Sequence, residues 1–413
     1  MINKINITKK WQPFRATNFL SLMWPCLILW KIHGVFPYKF KTPTSIIISK
    51  PVYIFSIIII IFYLITYSSI MYHMDVTGEL DYDSVPAILQ ANSYLSFGFW
   101  IIITAFFQRK TRTDFLEKLA KESVKIPAKK YRQLSRLIHL KDLIGILFVY
   151  AHFPNIFSSS YPLIGFKAFG VYTTIIVYLV NALYTNCVLI IHTHFQIINE
   201  KLIKLKFHIE NDECHLLRRI YHVRKNPLIL MEIKKIIKEH NDVCNLVLQL
   251  NCTFSLQMIA IVTLTFAEIT FSLYFYILKT VGFKDINLEK QIWYSYFITS
   301  VTYYSGYIIT AVGVCEHAKD EADKTGIIVH EILNNTIDKQ IAEELQIFSL
   351  QLLHRKTNFL AKGLALDYTL LTSIAGGVTT YLLILIQFLI TTNSCQMNNN
   401  STTTIAITTM ANN

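Results

Sequence analysis

Thr379-Thr380-Tyr381-Leu382-Leu383-Ile384-Leu385-Ile386-Gln387-Phe388 places a polar pair and a tyrosine before five aliphatics, then an amide and a ring. From Tyr368 to residue 413 there is no Asp, Glu, Lys or Arg. The stretch therefore reads as a membrane-spanning helix, where backbone groups bond one another and a side-chain amide needs a partner or water. At helical spacing Thr380, Ile384, Gln387 and Thr391 share one face. Such a stripe is either a seam packed between helices, the commoner use of polar residues in lipid, or a surface lining an aqueous path.

Composition extends this reading to the whole chain. Hydrophobic residues make up 53% and charged residues 16%, with 27 Phe and 23 Tyr; soluble domains carry about 25% charge. Cutting the chain at its charged residues leaves seven windows long enough to cross roughly 30 Å of hydrocarbon. They are read as spans at about 51–74, 84–107, 143–164, 168–194, 247–277, 291–315 and 370–391 of a single domain, 1–413. The expected fold is all-α, a seven-helix polytopic membrane protein.

The charges orient it. The first 50 residues and the connections after spans two, four and six hold 8, 11, 10 and 6 of the 39 Lys and Arg. Only Lys167, Lys279, Lys284 and Lys290 fall on the other side. Basic residues near span ends stay in the cytosol, which puts the N-terminus inside and the C-terminus outside. The first outer loop is acidic, with Asp75, Glu79, Asp81 and Asp83, and Asn399 and Asn400 each open a glycosylation sequon usable only on the luminal side. The net charge of +12 is spread over four segments without a nucleic-acid module, so anionic lipid is the simpler partner. Residues 1–31 imitate a signal peptide, but Asn18, Ser21 and Pro25 interrupt the apolar stretch and no small-residue cleavage site follows it; that stretch suits the membrane surface better.

The charged connections 109–141 and 200–242 read as helices protruding into the cytosol, with span four continuing inward through His192, His194 and Phe195. Ile328, Ile332, Leu333, Ile337, Ile341, Leu345, Phe348 and Leu352 repeat at steps of mostly three and four, an apolar stripe that must be buried against something. Gly376-Gly377 admits a bend or a close helix crossing.

Several chemistries are excluded. His330-Glu331 is no zinc-protease motif, since Asn334 stands four after His330, and the 13 His and seven Cys show neither metal-ligand nor disulfide spacing. There is no phosphate loop and no nucleophile elbow. No enzymatic step, cofactor or metal is expected. Glu268 is the one carboxylate well inside a span, either a functional group or one that sits near the outer interface or pairs locally. Aromatics gather toward the outer halves of the spans: Trp100, Tyr150 and Phe153, then Trp293, Tyr294, Tyr296 and Phe297. An aromatic belt accounts for any one of them. The alternative is a ligand pocket opening outward between spans two to six, lined by Trp100, Tyr150, His152, Gln291, Trp293, Tyr296 and, deeper, Tyr304 beside Tyr303.

The pattern of residues 379–388 resembles the last-helix signature of insect gustatory receptors. The resemblance runs upstream through Phe348-Ser349-Leu350-Gln351-Leu352-Leu353-His354, Phe359, Gly363, Leu366-Asp367, Leu370-Leu371 and Ile374. Weaker echoes are Phe195, Asn199, Leu202, His240, Leu246, Asn251, Phe254, Gln257, Glu321-Ala322, Thr325 and His330. The lead-in is most similar to the branch that includes fructose receptors and their multimodal neighbours, with Ala365 where that branch has a larger residue. The resemblance implies a non-selective cation channel in the plasma membrane of sensory neurons. It would be a homo- or heterotetramer with other gustatory receptors, gathered on a cytosolic helical anchor and opened by an external small-molecule tastant, a sugar or bitter compound. Thr380, Tyr381, Ile384, Gln387 and Phe388 would then form pore and gate. The rival classes are a G-protein-signalling receptor, which would carry an Arg motif after span three and an Asn-Pro signature in span seven, and a transporter, which would carry a repeat. Neither pattern is present.

The charge asymmetry makes orientation testable. A tag after Asn413 should be labelled on intact cells and one before Met1 should not; the reverse pattern would remove the channel reading.

Overall fold

A computed structural model describes residues 14–42, 44–78, 85–158, 164–210, 227–280, 290–336 and 338–411, with side chains described at all of these except 152, 154–158, 164, 166–167, 290–296 and 392–411. The N-terminal segment begins with α1, Phe19–Ile32, started by a reciprocal cap in which the Ser21 N–H donates to Asn18 Oδ1 at 2.8 Å and the Asn18 N–H donates to Ser21 Oγ at 3.1 Å. A two-stranded hairpin follows, β1 (Tyr38–Thr42) against β2 (Ser45–Ile48), antiparallel with Tyr38 opposite Ile48. The stretch expected at the membrane surface packs one face against the chain. Phe19, Leu22, Met23, Cys26, Leu27 and Trp30 are buried, and Trp30 Nε1 donates to the Leu179 carbonyl at 3.1 Å.

Two apolar helices come next: α2, Lys50–Asp75, with Pro51 in its first turn where no backbone donor is lost, and α3, Val85–Phe107. Ile54, Phe55, Ile58, Ile61, Phe62 and Ile65 of α2 are exposed, a lipid-facing surface. Then α4, Arg109–Ser123, buries Phe115, Leu116, Leu119 and Ala120 under the membrane helices. Arg112 on the same helix is fully buried, donating to the Val35 carbonyl at 3.1 Å with its guanidinium 4.4 Å over the Trp30 ring; burial pulls it down to about 9.

The central elements are long. α5 runs Ala128–Ser158, α6 Ile164–Glu210, α7 Pro227–Thr280 and α8 Lys290–Asn335. At 47, 54 and 46 residues, α6, α7 and α8 reach about 70 to 80 Å, so each crosses roughly 30 Å of hydrocarbon and projects far beyond it. The projecting ends pack together. Asn199 on α6 donates to the carbonyl and carboxylate of Glu321 on α8 at 2.8 and 2.9 Å and accepts from Thr325 at 2.7 Å. Lys201 pairs with Glu239 at 2.6 Å and Lys206 with Glu331 at 2.9 Å. Burial raises the Glu321 carboxyl, but the bonds from Asn199 and Lys324 outweigh it and hold it below the usual range.

The apolar stripe foreseen at 328–352 is divided by a turn. α8 ends at Asn335, and α9, Lys339–His354, starts on an Asp338 cap that accepts from the Gln340 N–H at 2.9 Å. Ile332, Ile341, Leu345 and Phe348 are buried, with Phe348 edge-on to His240 of α7; Ile337 lies outside the described residues. A short hairpin, β3 (Leu360–Ala361) and β4 (Leu364–Ala365), leads into α10, Tyr368–Ala411. Among the described residues six helices are long and apolar enough to cross a bilayer, in α2, α3, α6, α7, α8 and α10. The stretch expected as span three starts on α5 and runs into 159–163, outside the described residues.

Asn199→Leu should lower the detergent melting point of the purified protein, because Glu321 and Thr325 lose a buried partner at a cost on the order of 2 kcal/mol. Lys206→Gln, which removes an exposed pair, should leave the melting point in place. Equal effects would mean the Asn199 cluster does not hold the projecting helices.

Candidate functional site

The helix carrying the stripe is fixed at its N-terminal end by α7. Asn251 Nδ2 donates to the Asn358 carbonyl at 2.8 Å while its Oδ1 accepts from the Leu360 N–H at 3.1 Å, strapping the β3–β4 hairpin to α7. Arg355 donates to Asn241 at 3.2 Å and to Asn245 at 2.6 Å. Burial pushes the nearby His240 down to about 4, so it packs as a neutral ring. The hairpin turns on Lys362 at φ +50 and Gly363 at φ +94, a left-handed pair that a glycine accommodates at least cost. Asp367 then caps α10, accepting from the Thr369 N–H at 3.0 Å and the Leu370 N–H at 3.3 Å.

About two and a half turns further on, α10 crosses α7 at Gly377. A Cβ added there would lie 3.0 Å from Phe266 Cε2, and Tyr381 meets the same ring edge-on at 5.7 Å. The glycine therefore serves a close crossing. Beyond it α10 makes little contact with its own chain: 6% of its most apolar window is buried, against 94% for α6. Val378 is buried on the side facing the chain. Thr380, Ile384, Gln387 and Thr391 lie on the opposite side, all exposed. Thr380 and Thr391 donate to the carbonyls of Gly376 and Gln387, both at 2.9 Å, which hides the hydroxyl protons from a bare lipid face. Phe388 is 68% exposed. Tyr381 is turned toward Phe266 and stands at the edge of the stripe.

The pocket residues are not gathered in the same way. Trp100 and Tyr150 sit on exposed faces of α3 and α5, Tyr150 edge-on to Phe153 at 5.1 Å, whereas Tyr304 is buried on α8 beside Tyr303 at 5.0 Å. The side chains of His152, Gln291, Trp293 and Tyr296 lie outside the described residues, as do those of Asn399 and Asn400. The polar contacts that join the spans come from other residues. Glu268 on α7 is buried and accepts from Gln90 Nε2 of α3 at 2.9 Å. Tyr94, one turn along α3, donates to the Gly170 carbonyl of α6 at 2.8 Å, with Thr174 Oγ1 2.7 Å away. Sequence reading left Glu268 open between function and local pairing; the structure pairs it. Gln90, one of two amides in its span together with Asn92, was the available signal for its partner.

A polar cleft of about 580 Å³ opens between α6 and α8, lined by His192, Gln196, His317, Asp320, Glu321 and Asp323 among others. No group of three or more His, Cys, Asp or Glu is arranged for a metal ion among the described residues.

Long helices that outreach the bilayer, and a last helix left mostly uncovered, define a receptor-like membrane bundle. The chain belongs to the seven-transmembrane chemosensory receptor family, matching it over residues 25–392. It is 35% identical over 170 residues to gustatory receptor 28b of Drosophila melanogaster, covering 40% of this chain and 36% of that one. Gustatory receptor 28a of the same fly is 34% identical over 169 residues, 40% and 37% of the two chains. The gustatory receptor for bitter taste 66a is 28% identical over 160 residues, 38% and 30%. Each match thus spans little more than a third of the relative at most. The insect olfactory receptor OR5 from Machilis hrabei, solved in complex with eugenol, superposes with a TM-score of 0.66 at 11% identity over 89% of this chain and 97% of that one. At that identity the likeness is one of fold.

The Gln90–Glu268 bond should be energetically coupled. Gln90→Leu leaves a buried carboxylate without its donor and should destabilise by on the order of 2 kcal/mol in a detergent melt, while Gln90→Leu with Glu268→Leu should cost less than the two single changes together. Additive losses would show that the pair does not join α3 to α7.

Proposed function

We propose that this chain is a gustatory receptor acting as a ligand-gated, non-selective cation channel, opened by an external tastant at the plasma membrane of a sensory neuron. The observation that carries the reading is the stripe of Thr380, Ile384, Gln387 and Thr391, exposed on the side of α10 away from its own chain. A stripe that is neither apolar enough for lipid alone nor covered by neighbouring helices suits a surface that meets water and three equivalent helices around an axis. Ile347, Leu350 and Leu353 of α9, exposed outside the expected spans, support the same assembly, because an apolar cytosolic face favours burial against another subunit. The channel is thus a homo- or heterotetramer with other gustatory receptors, with no nucleic-acid partner.

In this mechanism Gln387 and Phe388 form the narrow gate, with Thr380 and Ile384 below them and Tyr381 at the edge. A tastant held in the outer halves of the spans, by Trp100, Tyr150, His152, Gln291, Trp293, Tyr296 and Tyr304, prefers the open arrangement and draws the α10 helices apart. That OR5 was solved with eugenol, and that one relative is a receptor for bitter taste, supports a small organic ligand.

Gln387→Ala should change single-channel conductance or ion selectivity while leaving surface expression nearly intact, and Phe388→Ala should raise basal current. Substitution of Trp293 or Tyr296 should shift the half-maximal ligand concentration and spare conductance. If several Gln387 variants at the surface conduct as the wild type does, the stripe is a packing seam.

A further inference from the structure

Where α5 enters the membrane, its outward face changes from basic to apolar within one turn. Lys129, Arg132 and Arg136 are exposed at steps of three and four, and Leu137, Leu140, Leu143, Ile144 and Leu147 continue the surface upward, also exposed. None of the three cations has a carboxylate partner among the described residues, although their neighbour Lys130 is paired with Glu200 at 2.6 Å. A second element brings a fourth cation. The Phe14 N–H donates to His139 Nδ1 at 3.1 Å and the Ala16 N–H donates to Ser135 Oγ at 3.2 Å, so Arg15 is pinned between two backbone bonds to the turn of α5 that follows Arg132. His139 Nε2 in turn lies 3.0 Å from the Leu22 carbonyl, and with Nδ1 accepting from Phe14 it is the Nε2–H that donates. Phe14 keeps φ at 62°, a left-handed conformation that costs a non-glycine residue free energy and persists where its surroundings fix it. On the helical wheel Arg132 lies between the buried Ser135–His139 side, which carries the N-terminal segment, and the exposed line of Lys129, Arg136 and Leu140.

The geometry points to a site for a multiply charged phospholipid headgroup, formed by Arg15, Lys129, Arg132 and Arg136. The leucines directly above contact the acyl chains. Lys129 to Arg136 spans about 10 Å along the helix, the scale of one headgroup and its phosphates, and guanidinium groups bind phosphate oxygens two at a time. A solvated basic face would not need the N-terminal segment held in a strained turn beside it, nor lie directly against a lipid-facing apolar strip. The inference rests on reading 143–164 as a span with its charged end at a membrane surface, and it is independent of the gate on α10.

Native mass spectrometry of the purified full-length protein in neutral detergent tests it, with phosphatidylinositol 4-phosphate as probe and phosphatidylcholine as reference. The wild type should retain the phosphoinositide at least fivefold over phosphatidylcholine. Arg132→Gln with Arg136→Gln should reduce that retention by about tenfold or more, since each cation near a lipid surface is worth about fivefold in binding. Arg132→Lys with Arg136→Lys should keep most of it, and Lys235→Gln with Lys238→Gln, an exposed pair on α7, should change nothing. Unchanged binding by the double glutamine variant overturns the site, as does an equal fall in the α7 control. Displacement by inorganic phosphate at equal concentration would show an anion site without lipid, which also overturns it. Detergent has no sides, so a negative result here speaks against the site, whereas reversed tag labelling in cells would change only the leaflet.

Discussion

The apolar window of α6 is 94% buried, and polar contacts from four neighbouring helices end on it. Trp30 of α1 donates to the carbonyl of Leu179, Tyr94 of α3 to that of Gly170 and Tyr307 of α8 to that of Val177. Asn186 donates to the buried Asp142 of α5 at 3.0 Å. A helical carbonyl already accepts one bond and has a second lone pair, and in hydrocarbon a donor with no water gains by using it. Each such bond fixes both the height and the rotation of a neighbour relative to α6. Apolar packing alone leaves helices free to slide in lipid, because lipid tails are as greasy as leucine. These polar pins therefore supply the register, and the apolar contacts fill in around it.

The fold was legible because membrane solvation is a strict filter. A charge-free window must be helical, and six of the described helices reach the length and apolarity that the windows implied. The length of α6 was readable from a window too long for the bilayer. The burial of α1 was not, since Asn18, Ser21 and Pro25 look the same in an interfacial helix and in one packed under a bundle; only the seat of Trp30 on Leu179 distinguishes them. The turn at Asp338 was missed because an apolar period can continue across a reversal when both arms face the same core.

The site was legible in proportion to its periodicity. Thr380, Ile384, Gln387 and Thr391 recur at helical spacing, and that spacing alone places them on one side, which proves to be the uncovered one. Trp100, Tyr150 and Tyr304 have no such shared period, and they separate into two exposed rings and one buried. An aromatic at the end of a span serves a lipid belt or a binding wall with the same residue type, so composition cannot sort them. Gln90 and Glu268 show the converse. Two polar residues, 178 positions apart, form a single buried contact that no local pattern announces.

The manner in which α10 is attached has a mechanical consequence. Its N-terminal end is held by Asn251 through the hairpin, and it crosses α7 where Gly377 and then Tyr381 meet Phe266. From Gly377 to Gln387 is about 15 Å of helix that its own chain covers on one side only, through Val378, Leu382, Leu385 and Ile386, so α10 behaves as a lever with its fulcrum at the glycine. A tilt of about ten degrees there carries Gln387 sideways by about 2.6 Å, roughly the diameter of a water molecule. Phe266 belongs to the same helix as Glu268, half a turn away, so a shift of α7 against α3 would be delivered directly to the fulcrum.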